Sequence, residues 1–96
     1  MSPTNKKKLD LLRIKLDRLD TDLLKLIKKR SNLVNDVLKV KIHKKEIIDQ
    51  KRISFILKKI KKKSIELNID PIITSRIWKN MIWSFIDYER RNFKKK

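Results

Sequence analysis

Leu26-Ile27-Lys28-Lys29-Arg30-Ser31-Asn32-Leu33-Val34 carries an arginine where the surrounding pattern asks for an apolar residue. Toward the N-terminus the pattern continues through Leu26, Leu23, Leu19, Leu16 and Leu12, and toward the C-terminus through Leu33, Val37 and Val40. Alternating steps of four and three put all of these on one stripe of a helix, with Arg30 filling the missing beat. The stripe predicts a first helix over about residues 9–42. Residues 12–40 alone would span roughly 43 Å at ~1.5 Å per residue. A cation on such a seam is costly to bury without an anionic partner, so the position of Arg30 asks what it meets.

Beyond this helix the punctuation is sparse, because the chain has no Gly and only two Pro. In Asn68-Ile69-Asp70-Pro71, Asp70 can cap a helix and Pro71 suits its first position, where a missing N–H needs no partner. A helix over 71–93 follows, with Trp78, Ile82, Phe85 and Glu89 on one stripe and Ile77, Met81 and Ile86 beside it. A softer break falls at 43–48, where the four-three rhythm stops; Asp49 then reads as the cap of a helix over 49–67 carrying Ile53, Leu57, Ile60, Ser64 and Leu67. No strand alternation appears. The expected fold is all-α, a single domain over 1–96 with three helices, one long, one short and one medium, and basic tails at Lys6–Lys8 and Lys94–Lys96. The shorter helices cannot cover the long seam within one chain, which predicts an entwined homodimer.

The composition narrows the function more by exclusion than by direction. There is no Cys and a single His, His43, so neither a disulfide framework nor a convergent zinc site can be assembled, and no cofactor is implied. No apolar run reaches the length of a membrane span and the N-terminus lacks a signal-peptide core, which points to a cytoplasmic protein. The formal net charge of +17 points to an anionic partner: nucleic acid, an acidic surface or a small anionic substrate. Because the lysines are spread over every segment in a chain that also lacks Ala, charge alone does not choose among these.

The charges on the seams are more informative. Arg30 interrupts the first stripe and Glu89 the third; Lys41, eleven residues beyond Arg30, returns to within roughly 20° of its face if the helix continues that far. Arg13 borders the seam at its other end. Two readings stay open at this level: a buried Arg30–Glu89 ion pair that sets helix register, or a bundle pocket whose cations await an anionic ligand. Trp78 and Phe85 read as core, Trp83 and Tyr88 as off-stripe residues suited to a dimer contact, His43 as a surface residue, and Asp17 and Asp20 as partners of nearby cations.

The set Leu12-Arg13-x-x-Leu16-Asp17-x-Leu19-Asp20-x-x-Leu23-Leu24-x-Leu26-Ile27-x-x-Arg30, then Val37-x-x-Val40-Lys41, then Asp49-x-x-Arg52, resembles the AroQ class of chorismate mutases. Asp70-Pro71 and Ile77-Trp78-Lys79-Asn80-Met81-Ile82 continue the likeness, which runs from about Leu9 to Glu89. The resemblance implies a one-step rearrangement of chorismate, a dianion, to prephenate in aromatic amino-acid biosynthesis. No nucleophile is needed, and positioning and electrostatics carry the catalysis. It further implies that Arg30 holds one substrate carboxylate and Arg13, from the partner subunit, the other. Lys41 would donate to the ether oxygen as the C–O bond breaks, Arg52 would add positive field, and Asp49 would help seat the ring hydroxyl.

Three positions depart from the family pattern. Ile53 replaces a frequent Glu, removing a carboxylate that would bind the hydroxyl; Phe85 replaces a small hydroxyl residue; and Glu89 replaces a frequent Gln. A carboxylic acid donates to the ether oxygen only when protonated, so catalysis is expected to weaken as Glu89 ionises. The competing expectations are an isochorismate-pyruvate lyase on the same scaffold and a basic helical nucleic-acid binder. The placement of charges at motif positions on the seams disfavours the latter.

Overall fold

The computed structural model describes residues 3–94, with side chains from residue 5 onward. Lys95 and Lys96 of the C-terminal basic run lie outside the described residues. Three α-helices follow in order, α1 (Pro3–Val40), α2 (Gln50–Glu66) and α3 (Pro71–Asn92), with a 3₁₀ helix (Lys44–Ile47) between α1 and α2 and no strand among the described residues. The all-α expectation and the three unequal lengths hold. α1 starts earlier than expected, at Pro3, a residue well suited to a first helical turn. It also stops two residues early, at Val40, so Lys41 lies past its end and helical phase does not set its direction.

The chain divides into two compact units, Met1–Leu33 and Val34–Lys96. Within the first, the helix holds its leucine ladder in the open: Leu12, Leu16, Leu19, Leu23 and Leu26 are each more than half exposed. Arg30 is half-buried near the end of this unit.

The second unit has its own core. Ile47, Ile82 and Ile86 form the buried centre, with Ile48, Ile53, Ile56, Leu57 and Phe93 packed against it. Ile47 belongs to the segment read as a break. His43-x-x-Glu46 has the spacing of a helix cap: the His43 backbone N–H donates to Glu46 Oε1 at 2.8 Å and the Glu46 N–H to the His43 carbonyl at 3.0 Å, closing a turn that turns Ile47 inward. On the final turns of α1 the seam stays open within one chain, as it does in the first unit. Leu33, Val37 and Val40 are 64%, 48% and 74% exposed, and Leu38, one residue off the stripe, is buried instead. A period that places residues on one stripe does not say which side of that stripe meets a neighbour.

Local chemistry explains both ends of the α2–α3 connection. Asp49 Oδ1 accepts from the Arg52 N–H at 3.0 Å and Asp70 Oδ1 from the Ile72 N–H at 2.9 Å, the two N-caps expected. α2 closes without glycine. Asn68 takes φ 56°, and the Ile69 N–H donates to the Ser64 carbonyl (2.8 Å) while the Asn68 N–H donates to that of Ile65 (3.1 Å), which satisfies carbonyls of the last turn. Asparagine is the ordinary residue best able to occupy this left-handed position. Ser64 and Thr74, both buried, then join α2 to α3 through hydroxyls 2.7 Å apart. Since Ser64 Oγ donates to the Ile60 carbonyl at 2.6 Å, its single proton is engaged, and Thr74 is the donor between them, sharing its proton with the Pro71 carbonyl at 3.4 Å.

Candidate active site

α3 carries its stripe inward as expected, with Ile82 and Glu89 buried and Trp78 and Phe85 half-buried. Glu89 therefore enters the second unit as a carboxylate among apolar neighbours, a position that demands a partner. Lys41 supplies it. Its ammonium donates to Glu89 Oε1 at 3.0 Å, with the two side chains only 16% and 8% exposed. The Lys41 backbone N–H reaches the Leu38 carbonyl at 3.3 Å, so the residue continues the last turn of α1 without belonging to it. Buried ion pairs contribute little net stability, because desolvation offsets most of the attraction, and removing one member leaves the other uncompensated. A charged pair kept in so small a core is accordingly a functional candidate.

Lys41 also lines an open cleft of about 420 Å³ together with Glu46, Ile48, Asp49, Gln50 and Lys51. The cleft thus brings Lys41 and Asp49 together, while one Asp49 oxygen is engaged in capping α2. One turn into α2, the exposed Arg52 guanidinium lies 5.3 Å from the centre of the Phe55 ring, and Lys59 approaches the same ring at 5.9 Å. Such stacking restrains a guanidinium without consuming its donors. Ile53 packs against the Ile47–Ile82–Ile86 cluster, so the residue that stands in place of a carboxylate contributes to the core. Phe85 lies one turn before Glu89 on α3.

Arg13 and Arg30 belong to the first unit, Arg13 exposed and Arg30 half-buried. Along one helix their seventeen-residue separation amounts to roughly 26 Å at ~1.5 Å per residue. Tyr88, read as suited to a dimer contact, hydrogen-bonds inside the second unit: its hydroxyl donates to Asn35 Oδ1 at 2.6 Å. Trp83 remains exposed. The Tyr88–Asn35 bond was not legible beforehand, since Asn35 lies on no apolar stripe; its only signal is the three-residue spacing Asn35, Leu38, Lys41.

The model of the chorismate mutase type II family matches residues 12–90, a span that holds all of α2, most of α1 and α3, and every candidate site residue. The chain belongs to that family. No curated protein and no solved structure matches it. As a chorismate mutase it isomerises chorismate to prephenate, breaking one C–O bond and forming one C–C bond within a single molecule. The chemistry asks the protein for a dianion grip and for donors aimed at the ether oxygen, where negative charge develops. Among the described residues no helix is long and apolar enough to cross a membrane.

Proposed function

We propose that the mutase works as an entwined homodimer in aromatic amino-acid biosynthesis in the cytoplasm, with its reaction centre at the Lys41–Glu89 pair. That pair is the observation that carries the reading: a buried ammonium and carboxylate 3.0 Å apart, beside a cleft, in a protein whose substrate develops charge on one oxygen. Lys41 donates to the ether oxygen as the C–O bond breaks. Glu89 is the second donor, and only in its protonated form. When ionised it holds the Lys41 proton for itself and repels the developing oxyanion; once protonated, it releases Lys41 and adds a donor of its own.

Arg30 holds one substrate carboxylate, and Arg13 of the partner subunit the other. No small dicarboxylate bridges two arginines roughly 26 Å apart on a single helix, so Arg13 and Arg30 of one chain serve different pockets. Arg52 adds positive field, Asp49 receives the ring hydroxyl, and Phe85 and Ile53 shape the apolar wall. The exposed leucine ladder of the first unit supports the dimer, since burial of five leucines contributes about 1.5–3 kcal/mol each.

The test is a direct assay of chorismate loss and prephenate formation across pH. The Glu89→Gln variant, whose amide carries a donor at every pH, should remain active and should differ from the unaltered protein in its pH–rate profile. A Glu89→Gln profile identical to that of the unaltered protein would sink the assignment of Glu89. Pyruvate release from isochorismate, measured in parallel at a higher rate than chorismate turnover, would move the protein to the lyase reaction.

A further inference from the structure

Two polar bonds join the end of α1 to the end of α3, and the reaction accounts for only one of them. Lys41–Glu89 is the first. The second is Tyr88–Asn35, made by the residue adjacent to Glu89 and by a residue six positions before Lys41. Successive residues leave a helix about 100° apart, so Tyr88 and Glu89 point in different directions and meet the incoming segment at two separated points. One point leaves a helix end free to roll about its axis; two do not.

Lys41 needs that restraint more than any other candidate. It stands beyond the last helical residue, Val40, and its backbone N–H makes a long 3.3 Å bond to the Leu38 carbonyl. Its ammonium is therefore placed by what holds the final turns of α1: the buried Leu38, which permits sliding and rotation, and the short, directional Tyr88–Asn35 bond, which does not. Tyr88 and Asn35 line a cleft of about 340 Å³ with Leu38, Lys39, Asn92 and Lys94, separate from the cleft that holds Lys41 and Asp49. They act on the reaction through position rather than by contact.

We propose that Tyr88 and Asn35 are positioning residues of the mutase, a hydrogen-bonded clamp that aims Lys41 at the ether oxygen. The inference rests on the assignment of Lys41 and Glu89 given above. A misplacement of about 1 Å at a reacting group can cost on the order of 100-fold in rate, and partial loss of aim in a still-packed helix end should cost about tenfold.

Steady-state kinetics on the full chain test it. Tyr88→Phe removes one oxygen and should lower kcat about tenfold while KM stays within about twofold, with the far-UV circular dichroism and the oligomeric state unchanged. Asn35→Leu should do the same, and the double variant should be no slower than either single one, because both remove one bond. Asn35→Asp, which keeps an acceptor oxygen in place, should restore kcat to within about threefold of the unaltered protein. A Tyr88→Phe kcat equal to that of the unaltered protein, an additive double variant, or a kcat loss matched by loss of folded protein would each overturn the clamp. Lys41→Met, assayed alongside, separates this from failure of the site itself. If Lys41→Met turns over normally, the reaction centre is elsewhere; if it is inactive while Tyr88→Phe is unimpaired, the clamp alone is wrong.

Discussion

The two units of the chain use the same aliphatic residues in opposite ways. In Met1–Leu33 the leucines form one regular ladder and stand in the open, whereas in Val34–Lys96 isoleucines drawn from a 3₁₀ turn and from α3 close on one another irregularly. Among the described residues the regular region has no buried side chain, and the irregular one has a core. A strict four-three repeat aligns apolar surface along a line that only another helix can cover, while a core inside one chain needs residues from several elements converging on a point. The first unit thus offers the surface that the proposed dimer would cover, and the second closes a core within one chain.

Substitutions can break that contrast, and the largest effect should come from the ladder. Leu19→Glu combined with Leu23→Glu puts like charges on the seam. It should convert the proposed dimer to monomer by sedimentation, with turnover reduced about 100-fold or more because each pocket would lose the arginine proposed to come from the partner subunit. A dimer that survives this change would mean that the ladder is not the contact. Lys41→Met, in the second unit, should lower kcat by about 10²–10³-fold if Lys41 is the proposed oxyanion donor, with the oligomeric state unchanged.

Smaller effects should be confined to stability and to the second unit. Ser64→Ala removes the nearer acceptor of the buried Thr74 hydroxyl, leaving it the Pro71 carbonyl at 3.4 Å, and leaves the Ile60 carbonyl without the Ser64 donor; it should cost about 1 kcal/mol in urea unfolding without changing oligomeric state. Asp70→Ala removes the α3 cap and should cost about 1 kcal/mol. Asn68→Gly relieves a left-handed φ and should change stability least, by a few tenths of a kcal/mol in the stabilising direction, whereas Asn68→Ala should lower it by about 1 kcal/mol. A concentration dependence of the Ser64→Ala effect would blur the division between the two units.

Much of this architecture was legible in the residues. Asp49, Asp70 and Pro71 act locally, satisfying or lacking N–H groups within a turn of themselves, and local chemistry reads well from a string. Glu89 was legible as a charge on an inward stripe for the same reason. Leu38 and Ile47 were not, because which flank of a stripe is covered, and whether a break in rhythm turns inward, depend on elements far along the chain. The open choice over Glu89 shows the same boundary: its place on a stripe demanded a cation, and Lys41, beyond the end of α1, answers it.

The sequence by itself determined the helices, their caps, the charges placed among apolar residues and the family, since each depends on periodicity or on neighbours a few residues away. Only the tertiary structure decided that Lys41 closes on Glu89 and Tyr88 on Asn35, pairings across forty-eight and fifty-three residues. Such bonds require a hydrogen-bond distance near 3 Å, and helical phase cannot supply that precision once a helix has ended.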